Sequence, residues 1–151
     1  MNLTHLSDRE VLSGLETLYG SERRMRVQVI AHLVEVESRR IHLDMAYSSM
    51  HDFCQRHLGM SEGEAHRRIV AARLVARFPV LLERLESGEL HLSHLVLLKD
   101  YLTPENFEEL TKGAAGCTKR QVEEMLAAKF PRPDAPQRIV ETLAPGRTSF
   151  R

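Results

Sequence analysis

The chain has 151 residues, of which 42% are hydrophobic and 28% charged, and it contains no tryptophan and only five Phe and three Tyr. This length suits one domain with a real core and is short for two domains of ordinary size. Basic and acidic residues are balanced at 21 each. That balance excludes a global positive field that would draw the chain onto nucleic acid or an anionic membrane.

The charge is nevertheless segregated along the chain. Residues 61–77 hold four Arg and two Glu, which is a net charge of +2. Residues 78–117 hold three basic and seven acidic residues (−4), and residues 118–151 hold seven basic and four acidic residues (+3). An attraction to nucleic acid would therefore be local, and an acidic middle segment could pair with a basic tail.

The cysteines and the N-terminus indicate the compartment. Cys54 and Cys117 are too few for a disulfide framework and lie in no CxxC pair. The N-terminus MNLTHLSDREV lacks a basic segment followed by an apolar run, and no stretch approaches the roughly 18 apolar residues of a membrane span. We therefore expect reduced thiols in a cytoplasmic protein that does not contact the membrane.

Helix caps recur along the chain, and strand patterns do not. Ser7 and Glu10 have the spacing of a capping box, which predicts a first helix to about Leu18. A second helix is predicted from Ser21 to about Ile41. Its apolar stripe consists of Met25, Val29, Leu33 and Val36, widened by Ile30 and Val34.

The most informative segment is MHDFCQRHLGMSEGEAHRRIVAARLVARFP, residues 50–79. One of the two serines at 48 and 49 caps a short helix through His57, and Gly59 occupies the position favoured for a left-handed C-terminal cap. After a turn over residues 59–61, Ser61 and Glu64 form a second capping box that begins a longer helix. Two helices joined this tightly predict a helix-turn-helix.

The longer helix has two distinct faces. At 100° per residue, the alanine-rich face consists of Ala65, Ile69, Ala72 and Ala76. A neighbouring face around Val70 holds His66, Arg73 and Arg77. We therefore expect the alanines to allow close helix packing while the basic side chains remain outside.

Further caps complete an all-α fold. The predicted helices begin after Pro79 (ending at Gly88), at Ser93 (through Tyr101), at Thr103-Pro104 (to about Lys112) and at the Thr118–Gln121 capping box (through Phe130). This makes a compact bundle of about eight helices over residues 1–130. Residues 131–151 contain four of the six prolines and predict an extended linker or tail.

The helix pair is the strongest candidate for function. A recognition helix presents its N-terminal residues to base edges in the major groove of DNA. The predicted base-proximal residues are Ser61, Glu62, Gly63, His66 and Arg67, and Arg73 and Arg77 are better placed for phosphates. The alternative from the pattern alone is an ordinary helical hairpin with a solvated basic face.

Metal binding and catalysis have weaker signals. On one helix His51, Cys54 and His57 spread over about 120°, so together they would not face one metal. The chain contains no GxSxG, HExxH, P-loop or GxGxxG motif, and Glu105, Glu108 and Glu109 are typical of a solvated helix face. We therefore expect no catalytic residues, no metal and no cofactor.

The chain resembles the all-helical N-terminal region that precedes the nuclease domain in bacterial, myxobacterial-type HNH endonuclease proteins. The resemblance covers about residues 6–146, and its most specific pieces are YSSMHDFC, LGMSEGEAHRRIVAARLVARFP, SGELHLS, LTPEN and KFPRPD. The middle also resembles the helix-turn-helix domain of ParB and KorB partition proteins, in which a Gly-x-Leu-x-Leu-Ser link follows, as in residues 88–93. The resemblance implies DNA as the ligand.

The sequence departs from that family at its C-terminal end. In the family, an HNH domain with metal-binding histidines follows the proline-rich segment, and this sequence ends at Arg151 without one. We therefore expect a non-catalytic DNA-binding module that acts as a homodimer or with a partner nuclease domain. The alternatives are a protein–protein interaction or oligomerisation module, and a family member whose nuclease half is supplied elsewhere.

Overall fold

The computed structural model describes residues 1–131, so the predicted tail, apart from Pro131, lies outside the described residues. Residues 1–131 are all-α, as predicted, with eight α-helices, one π-helical turn and no strand. The helices are α1 (Asp8–Ser38), α2 (Ile41–Asp44), α3 (Met50–Asp52), α4 (Glu62–Arg77), α5 (Leu81–Glu86), α6 (Leu92–Leu98), α7 (Phe107–Ala114) and α8 (Lys119–Lys129). The π-turn (Phe53–His57) directly continues α3.

The first two predicted helices are one helix. The Ser7–Glu10 capping box begins α1 as expected, but the helix continues for 31 residues through Gly20 and Ser21. A glycine in a helix interior costs only about 1 kcal/mol, so it does not oblige the helix to end. The hydroxyl of Ser21 accepts a hydrogen bond from Arg24 at 3.1 Å instead of capping a new helix.

The C-terminal end of α1 lies earlier than predicted. The helix ends at Ser38, and Arg40 adopts the left-handed conformation with φ of 59° before the short α2 begins. Ala46 has a φ of 69° and lies in the turn before α3. Residues without a glycine's freedom seldom take this conformation, so the sequence contains no ordinary signal for either break.

Helix starts after α4 are only partly as predicted. Gly88, with φ of 84°, follows α5, and Thr118 caps α8 in a complete box with Gln121. The helix predicted to begin at Thr103 instead begins at Phe107. The reason is that Thr103 and Asn106 bond to each other's backbone N–H at 2.8 and 3.2 Å, which closes a separate turn.

The core is built around α4, which packs between α1 and α6, while α8 packs on α6 and α7. As the composition predicts, its fully buried side chains are mainly aliphatic. They include Ile30, Ile69, Leu81, Leu95 and Leu110. No helix within residues 1–131 has both the length and the apolar character needed to cross a bilayer.

A buried histidine connects the start of α6 to the loop before α8. His94 is 2% exposed. Its Nδ1 accepts the N–H of His91 at 2.9 Å, and its Nε2 lies 2.7 Å from the carbonyl oxygen of Cys117. Because Nδ1 accepts, the ring carries its proton on Nε2 and donates it to that carbonyl. This helix was predicted to begin on a Ser93 cap, and the structure corrects that prediction.

The neighbouring His91 predicts acid sensitivity. Burial lowers the pKa of His91 below its ordinary 6.5, and His94, Arg23 and Arg26 lower it further. Because the folded-state pKa is lowered, the neutral His91 side chain contributes stability above about pH 6.5. This contribution is lost as the pH falls through the folded-state pKa. We expect the urea midpoint to fall between about pH 7.5 and pH 5.5, and part of that fall to be absent in His91→Gln. The effect is small because His91 is only partly desolvated and remains largely exposed. Identical pH profiles of the two proteins would contradict it.

Candidate nucleic-acid interface

The link between the π-turn and α4 is a tight, hydrogen-bonded turn. Gly59, with φ of 76°, donates its N–H to Gln55, and Met60 donates to Cys54, each at 3.1 Å. Ser61 then caps α4 by accepting the N–H of Glu64 at 3.2 Å. The predicted capping box is only half formed, because the Glu64 carboxylate pairs with Arg68 at 3.1 Å instead.

The short helix before this turn is anchored by its own cap and by burial. The Ser49 hydroxyl accepts the N–H of Asp52 at 3.0 Å, and Ser48 donates its N–H to the Asp52 carboxylate at 2.9 Å. That backbone hydrogen bond is the main cause of the lowered pKa of Asp52, and Arg56 lowers it further. Phe53 is buried in the core beside Cys54. The two helices are therefore held at a defined position relative to each other.

The inner face of α4 is wider than predicted. Ala65, Ile69 and Ala72 are buried as expected, but Ala76 is exposed. Ala71, Leu74 and Val75 are buried as well. A helix packed between two neighbours buries a broader arc than a helix on a surface, and α4 has α1 and α6 as neighbours.

The outer face of α4 holds every residue that the sequence assigned to DNA. In its N-terminal half, the exposed residues are Ser61, Glu62, Gly63, His66 and Arg67. The Arg67 guanidinium lies back over Gly63, with Nη1 3.2 Å from the place where a Cβ of residue 63 would be. The ring of His66 stacks on that of His51 at 6.2 Å between centroids.

The two arginines assigned to phosphates are exposed but already have protein partners. Arg73 donates from Nη2 to Glu37 of α1 at 2.9 Å and from Nε at 3.2 Å, and this bonding raises the pKa of Arg73. Arg77 donates to the carbonyl oxygen of Leu102 at 3.2 Å and lies over the Phe78 ring at 4.9 Å. A phosphate that approaches Arg73 would have to compete with a carboxylate.

A basic groove of about 280 Å³ runs beside the C-terminal half of α4. Its walls come from α3, α4 and the end of α6, and its polar lining residues are His51, His66, Arg73, Arg77, Lys99 and Asp100. Lys99 and Asp100 pair with each other at 3.2 Å. Of the three permanent cations, Arg73 pairs with Glu37 and Lys99 pairs with Asp100, so a net charge of +1 and two histidines remain to attract an anion.

Two basic residues of this basic groove, His51 and Lys99, were not assigned to DNA from the sequence. Lys99 lies more than twenty residues beyond α4 and reaches the groove only because α6 packs against α4. His51 was considered only as a metal ligand. Its position on the helix before Ser61 could have indicated a place at the candidate interface, because both helices of a helix-turn-helix lie near the DNA backbone.

The other candidate sites are dispersed. Cys54 is completely buried, and burial raises the pKa of its thiol, whereas His51 lines the basic groove and His57 bonds the Tyr47 hydroxyl at 3.2 Å. Within residues 1–131, no group of three His, Cys, Asp or Glu side chains is arranged to hold a metal ion. Glu105, Glu108 and Glu109 are exposed; Glu108 pairs with Arg84 and Glu109 with Lys129.

Comparisons with protein-family models, with curated proteins and with solved structures give no match to this chain. The function proposed below therefore depends on the geometry of the chain's own residues.

Proposed function

We propose that the chain is a non-catalytic DNA-binding module in which the outer face of α4 enters the major groove. The observation that carries this proposal is the division of that face into two parts. Exposed Gly63, His66 and Arg67 follow the capped N-terminus, and the basic groove lies beside the C-terminal half. The major groove is about 12 Å wide and admits an α-helix.

The two halves of α4 would have different roles. With 16 residues, the helix is about 24 Å long and spans several base pairs. Arg67 can donate two hydrogen bonds to guanine, and His66 can contact a neighbouring base edge. Arg73, Arg77 and Lys99 would neutralise phosphates along the groove wall, which positions the helix without specifying sequence.

The number of cations limits the affinity of one copy. Four side chains, Arg67, Arg73, Arg77 and Lys99, are available on this surface, and the net charge of the chain is zero. With about 0.9 counterions released per neutralised phosphate, the log–log salt dependence should have a slope between about −2 and −4. A homodimer or a partner nuclease domain would supply the remaining contacts. The proposed relationship to the N-terminal region of HNH endonuclease proteins, with its ParB-like helix-turn-helix, agrees with this division of labour.

The direct test is a fluorescence titration of the full chain into labelled mixed-sequence duplex DNA at about 50 and 200 mM salt. We expect measurable affinity at the lower concentration and a loss of about 15-fold to 250-fold at the higher one. Binding that is absent at both concentrations, or indifferent to salt, would contradict the proposal. Cleavage of plasmid DNA by the pure protein with magnesium, manganese or zinc would contradict its non-catalytic part.

Substitutions in the N-terminal half of α4 should change sequence preference. After selection from a random duplex pool, we expect Arg67→Ala to relax one preferred position by about 1–3 kcal/mol, and His66→Ala to alter a position beside it. The matched control is Arg120→Ala on α8, which removes one exposed arginine that pairs with Glu124 on its own helix. An unchanged preference in both α4 variants would place the interface elsewhere.

A protein interaction module remains the second candidate function. The observation that favours it is the exposed apolar surface of α1, where Leu15 and Leu18 are 60% and 68% exposed. Such a surface suits an apolar partner surface, whether or not α4 contacts DNA.

A further inference from the structure

The N-terminal part of α1 extends away from the helical body. Every residue from 7 to 19 is exposed, and the body covers α1 only from Gly20 onward. An isolated helix of three turns is marginal in water, because short helices lack the tertiary packing that stabilises them. This extension therefore requires a surface to pack against.

The exposed side of the extension is apolar and has the spacing of a coiled coil. Val11, Leu15, Leu18, Met25 and Val29 form what we call the α1 stripe, with exposed fractions between 39% and 68%. Together with Glu22 they follow alternating steps of four and three residues, which is the a/d pattern of a two-helix seam. Met25 and Val29 were predicted to share one apolar stripe with Leu33, but both are exposed whereas Leu33 is buried.

The α1 stripe is large enough for a stable interface. With the flanking Leu12 and Tyr19, it exposes roughly 700 Å² per copy on an order-of-magnitude count. A typical monomer leaves its largest apolar patch at about 300–600 Å², and a standard interface buries about 800 Å² per partner. The α1 stripe also continues into an apolar groove of about 420 Å³ lined by Met25, Val29, Val36, Phe53 and Leu58.

The charges along α1 indicate which partner fits. Residues 8–19 contain Asp8, Arg9, Glu10 and Glu16, a net charge of −2, whereas residues 20–29 contain one Glu and three Arg, a net charge of +2. A second copy in antiparallel orientation brings the acidic part of each helix against the basic part of the other. A parallel pair would oppose like charges, including Glu22 against Glu22.

We infer that the chain forms an antiparallel homodimer through the α1 stripe, with a two-fold axis near Gly20. In this register Val11 packs against Val29 of the second copy, and Leu15 packs against Met25. Val11 of each copy then packs at the edge of the apolar groove of about 420 Å³ on the other copy, whose lining includes Val29. The interface is isologous, so each copy contributes the same surface, and it does not depend on the proposed DNA binding.

The oligomeric state of the full chain tests this inference. Sedimentation equilibrium at about 1–100 µM should give a mass of 34.6 kDa, which is twice the 17.3 kDa of one chain. Leu18→Glu should weaken the dimer about 100-fold, because the glutamate would be buried beside Glu22 of the second copy. Thr17→Glu is the matched control, since it adds the same charge at an exposed position off the α1 stripe.

A monomer at every concentration, or a dimer that Leu18→Glu leaves unchanged, would overturn the inference. A monomer in which another segment of the same chain covers the α1 stripe would overturn it as well.

Disulfide trapping tests the orientation. In a Cys117→Ser background, Leu15→Cys and Met25→Cys should form a mixed disulfide when the two variants are combined and oxidised, and neither should cross-link alone. Cys54 is buried and stays in place. Cross-linking of either variant with itself would show a parallel arrangement and overturn the antiparallel pairing.

Discussion

Replacement of His94 by alanine should lower the free energy of unfolding by about 3 kcal/mol. The imidazole is 2% exposed and connects the His91 N–H to the Cys117 carbonyl oxygen. Alanine leaves a cavity in the core and leaves both backbone groups without a partner, and each of these losses costs on the order of 1–3 kcal/mol. The melting temperature should fall by about 10 °C, as measured by circular dichroism.

The adjacent serine provides the control. If Ser93 were the cap of α6, its removal would cost about 1 kcal/mol. In the structure α6 begins one residue earlier, at Leu92, and the Ser93 side chain makes no cap. We therefore expect Ser93→Ala to change stability by less than about 0.5 kcal/mol. If Ser93→Ala lowered the free energy of unfolding more than His94→Ala does, Ser93 would be the cap of α6, as predicted from the sequence.

The second large effect concerns affinity for DNA. Arg73→Ala combined with Arg77→Ala should weaken binding to all sequences alike by about 100-fold at 50 mM salt, and should reduce the salt slope by about 2. Because the Glu37 carboxylate forms an ion pair with Arg73 at 2.9 Å, Glu37→Gln should strengthen DNA binding. It frees the guanidinium and removes a repulsive charge, so binding should tighten several-fold.

The matched control is Lys112→Ala with Arg120→Ala, which removes two exposed cations from α7 and α8. It should leave affinity nearly unchanged, because neither side chain lines the basic groove. Urea unfolding separates binding from folding, since an exposed ion pair such as Arg73–Glu37 contributes only about 0–1 kcal/mol. Equal losses in the two double variants would mean that only total charge matters, and a silent arginine pair would mean that another face binds.

Local signals predicted much of this fold correctly. The Ser7 and Thr118 caps begin helices as predicted, and Gly59 and Gly88 follow helices with positive φ. These features depend on hydrogen bonds within three or four residues and on the steric freedom of glycine, and sequence reports both directly. Helical periodicity likewise predicted that the basic face of α4 is exposed, but it wrongly placed Ala76 on the packed face.

The errors arose where distant contacts outweigh local preference. Gly20 and Ser21 were interpreted as a helix boundary, although an uninterrupted α1 accommodates both. Arg73 was treated as a free cation, although Glu37 lies 36 residues earlier in the sequence and pairs with it. No local pattern indicates which carboxylate a surface arginine will find, because that choice depends on how α1 and α4 pack.

The sequence by itself determined that residues 1–131 are all-α, where the turn before α4 lies, and that the basic face of α4 points outward. Those properties follow from periodicity and capping, which act over a few residues. Only the tertiary structure decided that α1 is one helix with an apolar stripe that the rest of residues 1–131 leaves exposed, that His94 secures α6, and that Lys99 joins Arg73 and Arg77 beside one groove. Each of these depends on side chains that are far apart in the chain and become neighbours only when the helices pack.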